Sequence, residues 1–386
     1  MTRLGDICEK IGSGATPHGG KEAYCLEGIS FVRSQNIGDF SFSANGLAHI
    51  NNEQAKKLSN VELKPNDILL NITGDSVART CIIDSEYLPA RVNQHVAIIR
   101  GKKDIVLSSY LLYFLQWKKK YLLQLASAGA TRNALTKSMI EQLEIELPTI
   151  EQQRKIAGVL DKIQEKIKLN QKINDNLLWQ AQALYKDRFI DLKPFNGKMP
   201  PDWQLGTVSE IIELHDSKRI PLSSRERANL TKIYPYYGAT SVMDYVDRYL
   251  FDGIYLLLGE DGTVVDDKGF PILQYVEGKF WVNNHAHIIT GKNGFTVETL
   301  YLLFSLTNVR SIVTGAVQPK ISQANLNNVS VVIPSKAELS TFNSIVQPIF
   351  SQIRNLRAES DRLTSTRDIL LPRLMSGEID AANIQL

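Results

Sequence analysis

The sequence predicts an α+β protein with two similar globular domains separated by two long helices that form an antiparallel coiled coil, as a pseudo-twofold internal repeat. Three observations predict this fold. The chain repeats itself, each copy mixes strand and helix patterns, and each copy is followed by a long helical heptad pattern. A chain of 386 residues is also too long for one ordinary hydrophobic core, so that two domains are expected.

The repeat is clearest where residues 129–148 align without a gap on residues 315–334, because both segments begin with Gly-Ala and end with Pro. Several other matches occur in the same order and at a similar offset. They pair residues 4–7 with 205–208, residues 92–95 with 282–285, and residues 110–113 with 301–304. Ordered matches of this kind indicate an internal duplication.

Within each copy, short apolar runs predict strands and longer amphipathic segments predict helices. The predicted strands lie at residues 67–72, 96–99 and 254–258, and the predicted helices at residues 108–125 and 296–311. The resulting division of the chain has four parts. These are a first domain at 1–148, a central helix at 149–193, a second domain at 194–334 with a proline-rich linker at 194–201, and a distal helix with a C-terminal tail at 335–386.

The two long helices carry apolar residues at steps of three and four, the spacing of helices that pack along a seam. Thr149 and Gln152 form a capping box at the start of the central helix. The polar residues Asn170, Asn174, Ser360 and Arg367 interrupt the pattern; they either lie buried in the seam or face solvent, and the pattern leaves both open. The predicted seam residues are Ile156, Leu160, Ile163, Ile167, Leu177, Leu184, Phe342, Val346, Ile349, Ile353, Leu356, Leu363 and Leu370.

The composition is that of a folded protein rather than a disordered one, with 43% hydrophobic and 22% charged residues. No signal-peptide pattern and no apolar run of membrane-spanning length is present, so we expect a cytoplasmic protein that does not enter a membrane. The three cysteines are widely spaced and are interpreted as reduced thiols. A net charge of only +3 requires that any DNA-binding surface is a local patch, and the acidic excess of residues 199–334 argues mildly against one.

Motifs for catalysis are absent from the sequence. There is no phosphate-binding loop, methyltransferase motif, GxSxG or HExxH, and residues 12–14 (Gly-Ser-Gly) are interpreted as a flexible loop. Asp267, Glu277 and Lys279 resemble the metal site of DNA nucleases, but the first copy has no counterpart and a solvated hairpin face is the simpler interpretation. His285 and His287 lack a third metal ligand. We therefore expect no catalytic residue, no metal and no cofactor in this chain.

Polar loops recur at equivalent places in both copies, and they contain the residue types that read DNA. Arginine reads guanine, Asn or Gln reads adenine, and Lys, Ser or Thr binds phosphate. Clusters of this composition are also ordinary turns, so that the recurrence rather than any single loop supports a DNA contact. The candidates are Ser13, Thr16, Arg33, Ser34, Gln35, Asn36, Arg91, Asn93, Gln94, Thr131, Arg132 and Asn133 in the first copy, and Lys218, Arg219, Tyr236, Tyr237, Thr240, Asn283, Asn284, Gln318 and Lys320 in the second.

The order of domain, helix, domain and helix resembles the specificity subunit of type I restriction-modification systems over the whole chain. The most specific matches are Leu-Pro-Thr-Ile-Glu-Gln-Gln at 147–153 and Leu-Leu-Pro-Arg-Leu-Met-Ser-Gly-Glu-Ile at 370–379. Residues 234–240 and 259–262 also resemble the second recognition domain of the family. Residues 337–339 depart from the pattern, because the second helix lacks the Glu-Gln pair, so the two helices are less equivalent than the repeat suggests.

The resemblance implies that each globular domain is a DNA target-recognition domain and that the helices are spacers. It also implies partners: double-stranded DNA, two adenine-methylating modification subunits that hold S-adenosylmethionine, and motor-nuclease subunits that use ATP and Mg²⁺. Diverged loops on the two copies predict a target of two unlike half-sites, since identical readers would require a palindrome. The alternatives are a coiled-coil scaffold with protein-binding end domains and a stand-alone Mg²⁺-dependent nuclease. Strongly salt-dependent binding to duplex DNA distinguishes the first alternative from a DNA reader.

Overall fold

The computed structural model describes residues 1–127, 133–315 and 317–384, except for the side chains of Lys21 and Asn383. These residues form two compact units. Unit 1 contains residues 1–169 and 359–386, and unit 2 contains residues 170–358. Each unit therefore combines one globular domain with a part of each long helix.

Unit 1 has strands and helices in mixed order, as the sequence predicts for an α+β domain. Its strands are β1 (Thr2–Arg3), β2 (Cys8–Ser13), β3 (Tyr24–Cys25), β4 (Ile29–Val32), β5 (Ala48–Ile50), β6 (Ile68–Asn71), β7 (Thr80–Ile82), β8 (Ala90–Val92), β9 (Val96–Gly101) and β10 (Glu144–Ile145). Its helices are α1 (Leu4–Ile7), α2 (Asn52–Lys57), α3 (Ser108–Trp117), α4 (Lys119–Ser127), α5 (Lys137–Glu141) and the first part of α6 (Ile150–Tyr185).

The strands of unit 1 form two main sheets, with orders β2-β9-β6-β7 and β3-β5-β4-β8. Side chains on successive residues of a strand point to opposite faces, so that one strand can serve two cores. In β6, Ile68 and Leu70 lie in the core that contains α3, whereas Leu69 lies in the core between the two sheets. A strand buried on both faces explains why this segment is a continuous apolar run.

Unit 2 is built around one sheet of order β12-β17-β15-β16-β13-β14. The strands are β11 (Gln204–Thr207), β12 (Ile212–Leu214), β13 (Tyr234–Tyr237), β14 (Val242–Val246), β15 (Phe251–Gly259), β16 (Leu273–Val282), β17 (Ala286–Gly291) and β18 (Ser330–Ile333). The helices are α7 (Ser224–Ala228), α8 (Val297–Ser305), α9 (Gln323–Asn327) and the first part of α10 (Lys336–Met375), together with the second part of α6.

In both units, segments of α6 and α10 run antiparallel. In unit 1, the Arg367 guanidinium donates to Gln164 Oε1 at 2.9 Å, and Lys166 lies 3.5 Å from Glu359. In unit 2, the rings of Tyr185 and Phe342 are 5.7 Å apart. The capping box at the start of α6 is confirmed, because Thr149 N donates to Gln152 Oε1 at 3.1 Å and Gln152 N donates to Thr149 Oγ1 at 3.3 Å.

Every predicted seam residue except Leu184 is buried or half-buried. Leu184 is 42% exposed, and Tyr185 is buried in its place. The buried positions step by four from Ala181 to Tyr185 and Phe189, and a π-helical turn at Lys186–Ile190 follows α6. The buried seam residues are Leu160, Ile163, Phe342, Val346, Ile353 and Leu356, and the half-buried ones are Ile156, Ile167, Leu177, Ile349, Leu363 and Leu370.

The polar residues of the seam do not face solvent. Asn170 is fully buried, Arg367 is 9% exposed, and Asn174 and Ser360 are half-buried. The Arg367 guanidinium lies 4.1 Å from the centroid of the Phe40 ring, an arrangement that stabilises a cation with little water around it. Of the two readings of these residues, the structure supports burial.

Three local expectations differ from the structure. The predicted helix 108–125 is divided at Lys118 into α3 and α4, and the predicted helix 296–311 is shorter, since α8 ends at Ser305. Gly12 and Ser13 belong to β2 rather than to a flexible loop. Gly14 follows the strand where a Cβ atom would lie 2.1 Å from the Val92 carbonyl oxygen, so that only glycine fits.

Two further sequence features can be compared with the structure. All three cysteines are free thiols, with Cys8 and Cys81 buried and Cys25 exposed. In the part of the chain that the structure describes, no helix combines the length and the apolar character needed to cross a bilayer.

Candidate nucleic-acid interface

Loops at one end of the unit 1 sheets come together and form what we call the first loop cluster. Backbone hydrogen bonds join them: Ile72 N donates to His95 O at 3.0 Å, Leu135 N to Ile72 O at 2.8 Å, and Gly74 N to Asn133 O at 3.3 Å. These bonds bring distant parts of the sequence together without using a side chain. The cluster consists of residues 13–16, 33–36, 71–75, 91–95 and 133–135.

Unit 2 contains a second loop cluster with the same backbone framework. Glu260 N donates to His285 O at 2.8 Å, Ile321 N to Glu260 O at 2.8 Å, and Gly262 N to Pro319 O at 2.9 Å. Each bond has its counterpart in the first cluster, so the internal duplication extends to the geometry of the loops. The second loop cluster consists of residues 216–219, 238–243, 259–262, 283–287 and 318–321.

Several predicted DNA-reading side chains of the first loop cluster are exposed. The Thr16 hydroxyl donates to Gln94 Oε1, and Gln94 Nε2 lies 3.0 Å from His95 Nε2, so that Gln94 is oriented by its neighbours while its side chain remains accessible. Ser34 is half-buried, and Thr131 and Arg132 lie outside the described residues. The exposed candidates are Ser13, Thr16, Gln35, Gln94 and Asn133.

Other candidates in the first cluster are held inside the protein. The Asn36 amide is fully buried and donates to Ser43 O at 2.9 Å. Asn93 is 8% exposed, and its Oδ1 accepts the backbone N–H of His95 at 3.1 Å. Their hydrogen-bonding groups shape the loops and are not available to a base.

The two arginine candidates of the first cluster also bind protein groups. Arg91 is 7% exposed; its Nε donates to Ala55 O at 3.1 Å and its Nη2 lies 3.0 Å from Glu62. In this structure Arg91 is therefore held by protein groups rather than exposed to a ligand. Arg33 is half-buried, and its Nη2 donates to Gly46 O at 2.7 Å.

In the second loop cluster, the exposed candidates include two lysines. Lys320 Nζ lies 3.2 Å from Glu260 Oε1, and the Lys320 side chain remains 48% exposed. Lys218 is exposed at the end of the loop that follows β12. Phosphate groups favour such cations, which position a protein on DNA without reading its sequence. The exposed candidates are Lys218, Thr240, Asn284, Gln318 and Lys320.

Three candidates of the second domain are held by protein groups in this structure. Arg219 donates to Ala286 O at 2.9 Å and to Glu260 Oε2 at 2.5 Å. Tyr236 is 1% exposed, and its hydroxyl accepts the backbone N–H of Leu222 at 2.9 Å. Asn283 is 3% exposed and its Oδ1 accepts the His285 N–H at 2.8 Å. Tyr237 is half-buried, with its ring 5.8 Å from that of Phe280.

A network of charged side chains lies beneath the second loop cluster. Asp216 Oδ1 accepts the Ile288 N–H at 2.8 Å, and Asp216 Oδ2 lies 2.6 Å from His287 Nδ1. His287 Nε2 lies 2.8 Å from Ile321 O, so that both ring nitrogens face oxygen atoms. The network thus joins four segments of the second loop cluster, which contain Asp216, Glu260, His287 and Lys320.

The pKa values of the two carboxylates reflect this network. Burial disfavours the charged form of Asp216, but hydrogen bonds from His287, Ile288 N and Gln323 outweigh burial and hold its pKa below the ordinary value. For Glu260, burial also disfavours the charged form. Arg219, His287 and Lys320 outweigh burial, so that the pKa of Glu260 is also lowered. Both side chains are therefore anions at neutral pH.

Asp216, Glu260 and His287 are also the one group of potential metal ligands among the residues with described positions, with ligand atoms within 4.8 Å of one another. Arg219 and Lys320 already bind the carboxylates, and both His287 nitrogens are hydrogen-bonded. These contacts fit a salt-bridge network better than a metal site, because a further cation would lie next to the Arg219 guanidinium.

The residues that resemble a nuclease site do not form one. Asp267 and Glu277 are absent from the metal-ligand groups of the described residues. Glu277 lies 3.4 Å from Arg354, and Lys279 Nζ lies 4.7 Å from the centroid of the Tyr249 ring. These contacts indicate structural roles on the face of β16.

Met243 is an exposed apolar side chain of the second loop cluster and was not among the predicted DNA-reading residues. It lies in β14, two residues after the Gly-Ala-Thr-Ser turn at 238–241, and is 56% exposed. The signal in the sequence is an apolar residue close to a tight turn between two strands. Polar composition, on which the candidates rest, does not include such a residue.

The fold and the loops together define a class of protein. Two duplicated α+β domains present loop clusters with exposed amides, hydroxyls and lysines, and each domain packs on long helices within its own unit. Among the described residues, the one set of potential metal ligands is already held in ion pairs and hydrogen bonds. Exposed groups of these types on two related domains are the organisation of a polymer-recognising protein.

Comparisons with known proteins identify the family. The model of the type I restriction modification DNA specificity domain matches residues 1–178 and again 200–364. The chain therefore belongs to this family and is a DNA-recognition component rather than a catalytic subunit. The tandem match also confirms the internal duplication.

Individual relatives agree with this assignment. The MjaIX specificity subunit of Methanocaldococcus jannaschii is 25% identical over 409 residues, which span 98% of this chain and 93% of the relative. A specificity subunit of Haemophilus influenzae, S.HindORF215P, is 31% identical over 127 residues, or 33% of this chain and 32% of the relative. The crystal structure of the S subunit from M. genitalium has the same fold, with a TM-score of 0.53 and 17% identity over 96% of this chain and 94% of that chain.

Proposed function

We propose that the chain reads a bipartite, asymmetric DNA target, with one half-site recognised by each loop cluster. One observation carries this proposal: the two clusters share a backbone framework but present different side chains and loops of different length. A shared framework brings both sets of loops to the DNA in the same way. Different side chains then read different bases, so the two half-sites are unlike.

In this proposal the chemistry belongs to partner subunits. Two modification subunits that hold S-adenosylmethionine methylate adenine within the target, and motor-nuclease subunits that use ATP and Mg²⁺ cut DNA that lacks the modification. The chain itself holds no cofactor and works in the cytoplasm. The family assignment and the absence of catalytic motifs from the sequence support this division.

The decisive experiment maps methylated adenines in cells that express this chain with its partner subunits, before and after exchange of residues 1–148 for the equivalent segment of another family member. We expect the exchange to change one half-site of the methylated motif and leave the other unchanged. The reason is that the first loop cluster lies wholly within the exchanged segment, whereas the second lies in unit 2.

A matched exchange of residues 202–334 serves as the control and should change only the other half-site. If either exchange altered both halves, independent reading would be wrong.

The scaffold alternative is tested separately by binding of the assembled complex to duplex DNA at increasing salt. A DNA reader loses affinity steeply as salt rises, whereas a protein scaffold shows no such binding.

A further inference from the structure

Met243 is held in a defined position although more than half of its side chain is exposed. Its sulfur accepts a hydrogen bond from Asn283 Nδ2 at 3.3 Å. On another side it lies over Gly238, where a Cβ atom would be only 2.4 Å from the sulfur. The Met243 side chain is thus fixed by the 283–285 turn and by the 238–241 turn, while its remaining surface faces outward.

The turns beside Met243 carry exposed polar groups, while its strand neighbours Val242 and Tyr245 are also exposed. Thr240, in the adjacent turn, and Asn284, next to its hydrogen-bond partner, are both exposed. The same loop cluster carries the exposed cations Lys218 and Lys320. An apolar group held in place on a surface that also carries polar and cationic side chains is an arrangement found in recognition surfaces. The cations favour an anionic polymer as the partner.

The chemistry of DNA narrows what such a group can contact. In the major groove the base edges present hydrogen-bond donors and acceptors, and the apolar group among them is the C5 methyl of thymine. Building on the proposed function, we propose that Met243 is a specificity-determining residue that contacts the C5 methyl group of a thymine in the half-site read by the second loop cluster.

The experiment removes the two contacting groups separately and together. The methylated motif is mapped first, and the half-site of the second cluster is the one that survives exchange of residues 1–148. The assembled complex is then titrated with duplexes in which each thymine of that half-site is replaced in turn by deoxyuridine, which lacks only the methyl group. For the wild-type chain, we expect one replacement to weaken binding about fourfold, the affinity equivalent of one buried methyl group.

The Met243→Ala variant should bind the thymine duplex about fourfold more weakly or worse, and the same replacement should then have no further effect. This non-additivity is a readout that a merely structural role does not produce. Met199→Ala is the matched control, because Met199 is 41% exposed in the same unit but lies in the linker, outside the loop cluster. This control should retain the full sensitivity to deoxyuridine.

Three results would overturn the inference while leaving the proposed function intact. The first is a second half-site without thymine. The second is a Met243→Ala variant that keeps its sensitivity to the missing methyl group. The third is a Met243→Ala variant that loses a partner subunit, with DNA discrimination unchanged. Failure of the proposed function is distinct from all three, since it would appear earlier, as the absence of any methylated motif that depends on this chain.

Discussion

The two loop clusters share a backbone framework and differ in the loops that the framework carries. β4 pairs in parallel with β8 in unit 1, as β13 does with β16 in unit 2. After β13 the chain turns back within residues 238–241, whereas after β4 the return to β5 takes residues 33–47. The longer loop carries Gln35. The short hairpin carries Thr240 in its turn and Met243 at the start of β14. The same backbone framework can therefore carry a long polar loop in one unit and a short hairpin with an exposed methionine in the other.

The layer beneath the loops differs even more. In unit 2, Asp216, Glu260 and His287 form a charged network, and His287 pairs across the sheet with Leu258. The corresponding pair in unit 1 is Ala97 with Leu70, beside Ile72 and Ser13. The same loop geometry is thus supported by packed small and apolar groups in one unit and by ion pairs in the other. The backbone hydrogen bonds, rather than a common set of side chains, define the arrangement.

The largest effect that tests this comparison is expected for Asp216→Ala. The change removes the carboxylate that lies 2.6 Å from His287 Nδ1 and accepts the Ile288 N–H, while Arg219 keeps Glu260. Removing one partner from a buried charged network costs about 3–5 kcal/mol. We expect the free energy of unfolding of unit 2 to fall by that amount, measured by pulse proteolysis in urea with the fragments identified by mass. Ser13→Ala, at the corresponding place in unit 1, should stay within about 0.5 kcal/mol. Equal effects of the two changes would show that the network does not stabilise unit 2.

Arg91→Met tests whether the buried arginine of the first cluster is structural. The substitution removes hydrogen bonds to Ala55 O and the ion pair with Glu62, and we expect a loss of about 2–3 kcal/mol in the stability of unit 1. The methylated motif of cells that express the variant should be unchanged at permissive temperature. A variant of normal stability with an altered motif would restore Arg91 to the DNA-reading residues.

Gln94→Ala and Asn284→Ala compare equivalent exposed residues of the two clusters. Each should weaken discrimination at one position of its own half-site by about 1–3 kcal/mol, because an amide can read adenine through two hydrogen bonds. The stability of each unit should change by no more than about 0.5 kcal/mol, as is usual for exposed positions. Binding titrations against single-base variants of the target measure the effect, and each substitution controls for the other. Loss at the same half-site for both variants would contradict separate reading.

The smallest expected effect is a difference in the response of the units to acid. Because the folded pKa values of Asp216 and Glu260 are lowered, their stabilising contribution is present above about pH 4 and is lost as the pH falls through the folded values. Burial raises the pKa of Asp161 in unit 1. The charged Asp161 carboxylate therefore lowers the stability of unit 1 at neutral pH, and its protonation on acidification removes this destabilisation.

Unit 1 should therefore gain stability on mild acidification, and unit 2 should lose stability below about pH 4. Urea titrations at several pH values, read by the same proteolysis assay, measure both trends. Asp161→Asn should abolish the gain in unit 1 and leave unit 2 unchanged. A parallel decline of both units from neutral pH would contradict the assignment of these groups.

The sequence predicted what is periodic or repeated. The seam of the long helices and the capping box at Thr149 follow local rules, and the duplication is visible from segments such as 92–95 and 282–285. The loops of the candidate interface were located for the same reason. Leu184 was misplaced because the buried positions step by four from Ala181 to Tyr185 and Phe189, whereas the heptad pattern predicts a step of three after Ala181.

The sequence could not show which loop side chains are free to contact DNA. Arg91 and Arg219 have the composition of base readers, but their partners Glu62 and Glu260 come from other parts of the chain. Whether a polar group is exposed depends on these long-range pairings, and residue type does not reveal them. Met243 was missed for the converse reason, since its exposure results from a turn and a neighbouring strand.

The backbone framework of the clusters has a consequence for how such a protein changes over generations. Every residue has a backbone carbonyl group, and every residue except proline has a backbone N–H. Hydrogen bonds such as Ile72 N to His95 O and Glu260 N to His285 O therefore survive nearly any substitution. Mutations that alter the exposed residues therefore do not have to be selected for folding at the same time. A duplicated gene with this frame can acquire a new target in one half while the other half continues to recognise the old one.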